Sequence, residues 1–459
     1  MATVTRENIG LLTDKLTVNV TKEDYYPEFE KSLKKISKTI SLPGFRAGKV
    51  PMGVVKKMHG QAIFSEEVVN SIEKNLVEYL KKENIDVFGQ AIPSEDSNLN
   101  GLNMNEPKDY SFSFEIGLRP EFSLPDLKSI KLPSYKIEIG DDMVAEEVER
   151  YRLRHGKMDS IEAVGDDYDV LHVQFIPADA PQTEESDEAK NARTLSLLLK
   201  YFSDASKKQL NGKKVDDEVE MAFGEVFTGK EKEWIARDLG LGHDEDSKKF
   251  KIKIEKLEHV TPAEFNEDFF KAAYPGKTIS NEEEFKAAVR AEVEEYWNTQ
   301  ARNHLEHEIY HVLMDETKVD FPEEFLKKWM KMNPNQAKSN PDDPKEFKNF
   351  LNGLKWSLIG DKVMAENNFS HTTEELRKEA LNQLMGYMGM TQATEEEAWV
   401  KDYLDRFMQD EKMVQPLEER LTVKKIFDWA TAQIQAVETK VSVEEFSNLI
   451  QEHNHQHHH

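Results

Sequence analysis

The change of hydrophobic period along the chain constrains its fold more than any other feature. Apolar and polar residues alternate at residues 16–20 and again at 110–116, which is the period of a half-buried strand. After Pro262 the spacing becomes helical, and residues 285–317 predict one helix of about 30 residues, far above the usual 11–12. One core cannot serve both patterns over 459 residues, so the sequence predicts a multidomain α+β protein.

The period changes and the proline positions predict five segments. A proline-punctuated stretch follows the first alternation, and a region of β character with strands near 171–175 and 250–254 precedes the helical half. The predicted segments are an α+β domain at 1–117, an extended linker and helix at 118–155, a β-rich domain at 156–259, an all-α domain with helical arms at 260–452 and a His-rich tail at 453–459. Shorter helices are predicted at 323–330, 345–366, 374–388, 395–410 and 417–437. The tail could hold Zn²⁺ or Ni²⁺ weakly, but we interpret it as a tag remnant or a disordered end.

Several chemical classes are excluded by composition. The chain has no cysteine, which rules out disulfides, thiolate nucleophiles and zinc-thiolate sites. No signal peptide is visible at the start, and no stretch approaches the roughly 18 apolar residues of a membrane span. No Walker-type phosphate loop occurs, so any working cycle is ATP-independent. We therefore expect a cytoplasmic protein with no cofactor, no metal site and no membrane partner.

Charge is distributed unevenly. The net charge of the chain is −26, yet no Asp or Glu occurs between Lys31 and Ser65. The cations of this basic stretch give it a charge of +8 and leave −34 for the rest of the chain; they are Lys31, Lys34, Lys35, Lys38, Arg46, Lys49, Lys56 and Lys57. An acidic body is repelled by polyanions, so the basic stretch predicts one chosen contact with a polyanion.

Two helices are predicted within and beside this stretch. Thr21 can cap a helix from Lys22 to about Ile40, because acidic residues in the first turn suit the helix dipole. Pro51 can open the next helix as its first residue. The loop between these helices is therefore short and rich in glycine.

That loop carries the most specific motif, Gly44-Phe45-Arg46-Ala47-Gly48-Lys49-Val50-Pro51. The glycines permit a tight, exposed tip. Phe45 at such a tip cannot easily reach its own core, while Arg46 offers a planar fork for phosphate or carboxylate and Lys49 a point charge. The glycines alone would favour an ordinary solvated turn between helices. The acid-free flanks and the exposed aromatic favour a docking loop instead.

The octapeptide resembles the ribosome-docking signature of the trigger factor family, chaperones at the polypeptide exit tunnel. The similarity covers most of the chain, including Val87-Phe88-Gly89-Gln90, residues 114–122, Phe265-Asn266-Glu267-Asp268-Phe269, residues 285–295 and Phe321-Pro322. It implies an α+β ribosome-binding domain, an FKBP-like middle domain and an all-α chaperone domain. It also implies contacts with protein and rRNA of the large ribosomal subunit. The ribosome-binding residues it implies are Gly44, Phe45, Arg46, Gly48, Lys49 and Pro51.

In this family the middle domain isomerises X-Pro bonds, and an Ile-Pro-Gly-Phe-Glu run lines its pocket. Here that run falls on Ser203-Asp204-Ala205-Ser206, whose polar groups we expect to stay hydrated. They cannot form the apolar wall that desolvates the prolyl amide, so we expect that catalysis is lost. The candidate pocket aromatics are interpreted as core residues first; they are Tyr168, Phe175, Trp234 and Phe250. No other Asp, His and Ser constellation is evident in the sequence.

Client binding is predicted in the helical half. Nine of the 16 methionines lie between Met314 and Met413. Methionine is unbranched and polarizable, which suits binding to clients that share no sequence. A single methionine is more often a core residue, but the cluster favours an apolar cradle for nascent polypeptides. The candidate client-binding residues are Met330, Met332, Met385, Met388 and Met390.

Three functions are consistent with these patterns. The first is an ATP-independent holdase that docks at the ribosomal exit tunnel and shields nascent chains. The second is an active peptidyl-prolyl isomerase that uses the middle domain. The third is an assembly partner whose helical half scaffolds a complex. The sequence also leaves open whether the chain forms a homodimer.

Overall fold

The computed structural model describes residues 2–41, 45, 50–94, 97, 101–178, 193–227, 231–241, 246–334, 338–389 and 394–457. Contacts between residues group the chain into two compact units. The first unit combines residues 1–133 with 304–437, and the second combines 134–303 with 438–459. The domain boundaries predicted from the sequence stay a prediction.

The described residues form eleven strands and fourteen helices. The strands are β1 Thr3–Gly10, β2 Thr13–Val20, β3 Val87–Pro93, β4 Tyr110–Leu118, β5 Lys131–Glu138, β6 Lys157–Ser160, β7 Asp169–Pro177, β8 Arg193–Leu198, β9 Glu218–Ala222, β10 Lys249–Thr261 and β11 Gln435–Ser442. The first seven helices are α1 Lys22–Thr39, α2 Met52–Lys82, α3 Asp141–Arg154, α4 Asp204–Leu210, α5 Phe223–Val226, α6 Glu231–Leu239 and α7 Glu267–Ala273. The other seven are α8 Glu282–Glu316, α9 Glu323–Met332, α10 Pro344–Glu366, α11 Thr373–Met388, α12 Ala398–Phe407, α13 Glu411–Gln433 and α14 Val443–His457. No helix in this described part of the chain is long and apolar enough to cross a membrane.

The first unit begins with an antiparallel sheet of order β1-β2-β4-β3. The predicted alternation in β2 is confirmed, because Leu16, Val18 and Val20 are fully buried. Helices α1 and α2 pack together over this core. The backbone N–H and the hydroxyl of Thr21 donate to the Asp24 carboxylate at 2.8 and 2.7 Å, which fixes the start of α1.

The helical part of the first unit packs on that sheet through α9. Phe325 and Met330 of α9 share a buried cluster with Phe88 of β3 and Phe347 of α10. Lys328 of α9 pairs with the buried carboxylate of Glu115 in β4 at 2.9 Å. The sheet and the helices beside it therefore share apolar packing within one unit.

The second unit contains a β-rich domain whose sheet has the order β6-β10-β7-β8, with β9 paired to β10. Alternate residues of β7 and β10 are buried, including Leu171, Val173, Ile252 and Ile254. Helices α4, α5 and α6 contribute to the same core. The predicted β character of residues 171–175 and 250–254 is confirmed.

The chain end differs from the sequence prediction. The helix predicted at 417–437 ends at Gln433, and strand β11 follows it and pairs with β5. The alternation of Val437, Thr439 and Val441 is the strand signal that the helical interpretation overlooked. The backbone of α14 continues to His457, and the last two residues of the predicted His-rich tail lie outside the described residues.

Candidate functional site

The predicted docking loop joins the end of α1 to the start of α2. Phe45 is 40% exposed, as predicted for an aromatic at the tip, whereas Val50 is buried at 5% exposure and anchors the end of the loop. Pro51 is the N-cap of α2, so the helix begins at Met52, one position after the predicted start. Four further residues of the predicted docking set lie outside the described residues: Gly44, Arg46, Gly48 and Lys49. Their role stays a prediction.

Five lysines of the basic stretch lie on the solvent side of helices α1 and α2. Helix α1 buries Tyr25, Phe29 and Leu33 and so turns its lysines outward. Exposed side chains in this set are Lys31, Lys34, Lys35, Lys38 and Lys57. Lys31 pairs with Glu28 at 3.0 Å, but no ion pair joins the other four to any residue that the structure describes. Four exposed lysines without an ion pair to any described residue therefore lie on the two helices that flank Phe45 in the sequence.

The methionines predicted for client binding do not behave alike. Met330 is 1% exposed within the cluster of Phe88 and Phe325, so the structure removes it from the client-contact set. Met332, two residues later in the same helix, is 56% exposed. Met388 is exposed and Met385 partly buried. Met390 lies outside the described residues.

The structure adds aromatic residues that the methionine count missed. Tyr387 is 92% exposed at the end of α11, beside Met388 at 53%. Trp399 and Tyr403 are exposed on α12, at the edge of the face that buries Val400 and Leu404. We call the exposed set Tyr387, Met388, Trp399 and Tyr403 the α11–α12 surface. The sequence signal was available, because Trp399 and Tyr403 recur at a spacing of four, which places them on one side of a short amphipathic helix.

The expectation that the Ser203-Asp204-Ala205-Ser206 run stays hydrated is wrong for Ser206, which is buried, whereas Asp204 and Ala205 are exposed. Ser203 caps α4 by accepting from the Ser206 N–H, and both hydroxyls donate to the Glu225 carbonyl, at 2.5 and 3.0 Å. Ser206 is only 1% exposed. The run therefore forms a polar brace to α5 instead of an apolar pocket wall.

The four candidate aromatics of the middle domain do not form one pocket. Phe175 and Phe250 are core residues in edge-to-face contact, with ring centroids 5.9 Å apart, and they line one small cavity. Tyr168 packs against a separate cluster that includes Leu153, and Trp234 packs partly buried against the domain core. Neither Tyr168 nor Trp234 lines the cavity beside Phe175.

A chain of hydrogen bonds joins a serine, a histidine and a glutamate on the other face of this sheet, which the sequence did not reveal. The Ser196 hydroxyl lies 2.7 Å from Nδ1 of His172, and Nε2 of His172 lies 2.9 Å from the Glu258 carboxylate. These side chains come from three adjacent strands, and the serine is exposed. Lys256 also pairs with Glu258 at 2.8 Å, so the group is best described as a cross-strand polar network.

Comparisons with known proteins agree with this domain order. Residues 2–151 match a family model described as "Bacterial trigger factor protein (TF)", residues 158–262 match "Probable trigger factor, FKBP-like domain" and residues 302–450 match "Probable trigger factor, C-terminal domain". An N-terminal docking domain, an FKBP-like domain and a helical C-terminal domain together define a ribosome-associated chaperone. The chain belongs to the trigger factor family.

Individual relatives share low sequence identity with this chain, but the alignments are long. Trigger factor of Chlorobaculum tepidum is 24% identical over 91% of this chain and 96% of that protein. Trigger factor of Salinibacter ruber is 22% identical over 94% of this chain and 93% of that protein. The match to trigger factor of Nocardia farcinica, at 23% identity, covers 70% of this chain and 64% of that protein.

Proposed function

We propose that the protein docks at the exit of the large ribosomal subunit through loop 44–51 and the basic face of α1 and α2. In this proposal Phe45 fills an apolar recess of a ribosomal protein, while Arg46, Lys49 and the helix lysines contact phosphates of rRNA. The observation that carries it is the exposed Phe45 between two helices whose exposed lysines, apart from Lys31, form no ion pair with a described acid. A cytoplasmic location follows, because that is where nascent chains emerge.

The second half of the proposal concerns clients. We infer that unfolded nascent polypeptides bind weakly at several exposed apolar places, the α11–α12 surface and Met332 among them. Soft side chains such as methionine can repack around different sequences. Tethering at the exit raises the effective concentration of these weak sites at the emerging chain. Release then needs only reversible binding and no ATP.

The docking test is ribosome co-sedimentation across a salt series. The triple variant Phe45→Ala, Arg46→Ala, Lys49→Ala should lose co-sedimentation. Losing two phosphate contacts lowers the salt slope by about 1.4–1.8, since each contact contributes roughly 0.7–0.9. The matched control Lys81→Ala, Lys82→Ala removes two exposed cations from the far end of α2 and should sediment like the parent. Unchanged binding of the triple variant would refute the docking role.

The client test is suppression of aggregation of an unfolded model protein. The variant Tyr387→Ala, Met388→Ala, Trp399→Ala should need several times more chaperone for the same suppression. The control Met158→Ala, Tyr296→Ala removes two side chains that are 54% and 57% exposed in the other unit and should behave like the parent. Equal loss in both variants would show that general surface apolarity, not this surface, holds the client.

We infer that the middle domain does not isomerise X-Pro bonds, because the polar brace of Ser203 and Ser206 replaces the apolar wall that such catalysis needs. A proline-peptide isomerisation assay on the full chain checks this inference. A rate clearly above background would place the chain among the isomerases instead.

A further inference from the structure

A histidine and two aspartates converge where strands β7 and β10 of the middle domain meet. In the antiparallel ladder, His259 of β10 is directly opposite Asp169 of β7, and residues that face each other in this way share one face of the sheet. Nδ1 of His259 lies 2.8 Å from Oδ1 of Asp169 and 4.0 Å from Oδ1 of Asp166. One nitrogen and two carboxylate oxygens thus lie within 4.8 Å of one another.

Backbone hydrogen bonds hold the two carboxylates in place. The N–H groups of Gly165 and Asp166 donate to Oδ2 of Asp169 at 2.7 and 2.8 Å. The N–H of Tyr168 donates to Oδ1 of Asp166 at 2.9 Å. Because Oδ2 of Asp169 is occupied by the backbone, its Oδ1 is the oxygen that faces His259. Carboxylates that bind metals are commonly oriented by such outer hydrogen bonds.

Asp169 is a buried carboxylate without a permanent cation beside it. The residue is 3% exposed, and neither Lys nor Arg pairs with it anywhere in the described part of the chain. Its ion-pair partner is His259, which is charged only when protonated. A buried carboxylate is costly unless a positive charge or good hydrogen bonds compensate it. A bound divalent cation would supply a permanent positive charge at this point.

The distances suit a small transition-metal ion. Bonds from Zn²⁺ to nitrogen or oxygen measure about 2.0–2.2 Å, so two ligand atoms of a tetrahedral ion lie roughly 3.4 Å apart. The observed 2.8 and 4.0 Å lie on either side of that value. The side chains of His259 and Asp166 are 32% and 58% exposed, so an ion can enter from solvent. An imidazole among the ligands favours zinc or nickel over magnesium or calcium.

We propose that His259, Asp169 and Asp166 bind a divalent transition-metal ion, Zn²⁺ by preference, with one coordination position left to solvent. The ion replaces the hydrogen bond between His259 and Asp169 and joins the turn before β7 to β10. The lack of cysteine excludes a zinc-thiolate site but not this set of ligands, so the proposal departs from the expectation of no metal site. It rests on neither ribosome docking nor client binding.

Two other groups of histidines could also take a metal, and the test separates them from this site. The chain ends in five histidines at or after His453, and on α8 the rings of His307 and His311 lie 4.5 Å apart. The measurements therefore use the full chain with its five tail histidines replaced by alanine. In that background His307→Ala is the control for α8.

Zn²⁺ affinity is measured by competition with a chromophoric chelator. The background chain should bind one Zn²⁺, and Asp166→Asn and His259→Gln should each weaken that binding at least tenfold, since changes to outer partners alone cost about 10–100-fold. The matched control is Asp167→Asn, which removes the same charge from an exposed neighbour that pairs with Lys207; it should bind like the background chain. No Zn²⁺ on the background chain, or an equal loss in Asp167→Asn or His307→Ala, would overturn the proposal.

Three further readouts test the chemistry of the site. Asp166→His should bind Ni²⁺ more tightly than the background chain, because a second imidazole replaces a carboxylate, and misfolding cannot produce such a gain. Zn²⁺ should slow amide exchange in peptides covering residues 164–170 of the background chain but not of His259→Gln. Millimolar Mg²⁺ should not displace Zn²⁺. Full displacement by Mg²⁺, unchanged Ni²⁺ affinity or unchanged amide exchange would each contradict the assignment.

Discussion

Replacing Gly117 by alanine should loosen the packing of α9 on the N-terminal sheet. A Cβ atom at this position would lie within 3 Å of the Phe325 ring, 2.7 Å from its Cε1 atom. The strand cannot yield easily, because Gly117 is paired with Thr13 on one side and with Phe88 on the other. The ring cannot yield easily either, since Phe325 is 1% exposed.

The magnitude follows from these constraints. Overfilling a packed core costs about 1–3 kcal/mol, whereas removing a glycine from a strand without a clash would gain roughly 0.5–1 kcal/mol. We expect the clash to dominate. The free energy needed to open the sheet locally at β4 should therefore fall by about 1–2 kcal/mol. The control Gly353→Ala lies in the exposed middle of α10 with no atom within 4 Å of the added Cβ. The Gly353→Ala control should raise the stability of α10 by about 0.8–1.0 kcal/mol.

Amide hydrogen exchange measured by mass spectrometry on peptides of β4 reports this opening free energy directly. A second change, Phe325→Leu, makes room for the new methyl group. The double variant should therefore be more stable than the sum of the single effects, by about 0.5–3 kcal/mol as is usual for residues in contact. Protection of β4 equal to the parent in Gly117→Ala, or strictly additive effects, would refute the packing argument. Exchange in β7, which belongs to the other unit, should not change.

Three further predictions concern single side chains. Met330→Ala should lower the free energy of unfolding by about 2–5 kcal/mol because it empties a buried position, whereas Met332→Ala should change it by less than about 0.5 kcal/mol; thermal melts decide between them. Ser206→Ala should lower the free energy of unfolding, measured in urea, by about 0.5–1.5 kcal/mol, because one hydrogen bond of the polar brace is lost. The hydrogen bond from Lys425, helped by the cap of α11, lowers the pKa of Glu375 from 4.5 to about 2. A depressed carboxyl pKa stabilises the fold above the unfolded pKa, so the thermal advantage of the parent over Glu375→Gln should disappear between about pH 4.5 and pH 2. An advantage that persists unchanged at pH 2 would contradict this assignment.

Local patterns predicted most of the secondary structure. The long helix expected at 285–317 is α8, Glu282–Glu316, because its helical period continues without proline or glycine. The cap at Thr21 and the alternation in β2 depend on residues a few positions apart, which a sequence displays directly. Strand β11 was missed although it alternates, since it follows a long helical pattern without a glycine or proline between them.

Features that depend on distant partners could not be predicted. Met330 and Met332 are two residues apart in one helix, and nothing local tells which one is buried. The answer comes from Phe88 and Phe347, which are far away in the chain. Arg193 becomes part of a cavity only because β8 pairs with β7 in the register that sets it opposite Phe175. The spacing of Trp399 and Tyr403 on α12 could have been noticed in the sequence. The client-binding prediction was based on the methionines alone and therefore left these aromatics out.

The middle domain keeps a packed core around its polar brace. The hydroxyls of Ser203 and Ser206 hold the Glu225 carbonyl, and that contact keeps α5 against the sheet. Phe223 and Val226 of α5 consequently stay fully packed, at 2% and 0% exposure. The proposed absence of isomerase activity is therefore compatible with a packed core, because the two serines are themselves hydrogen-bonded.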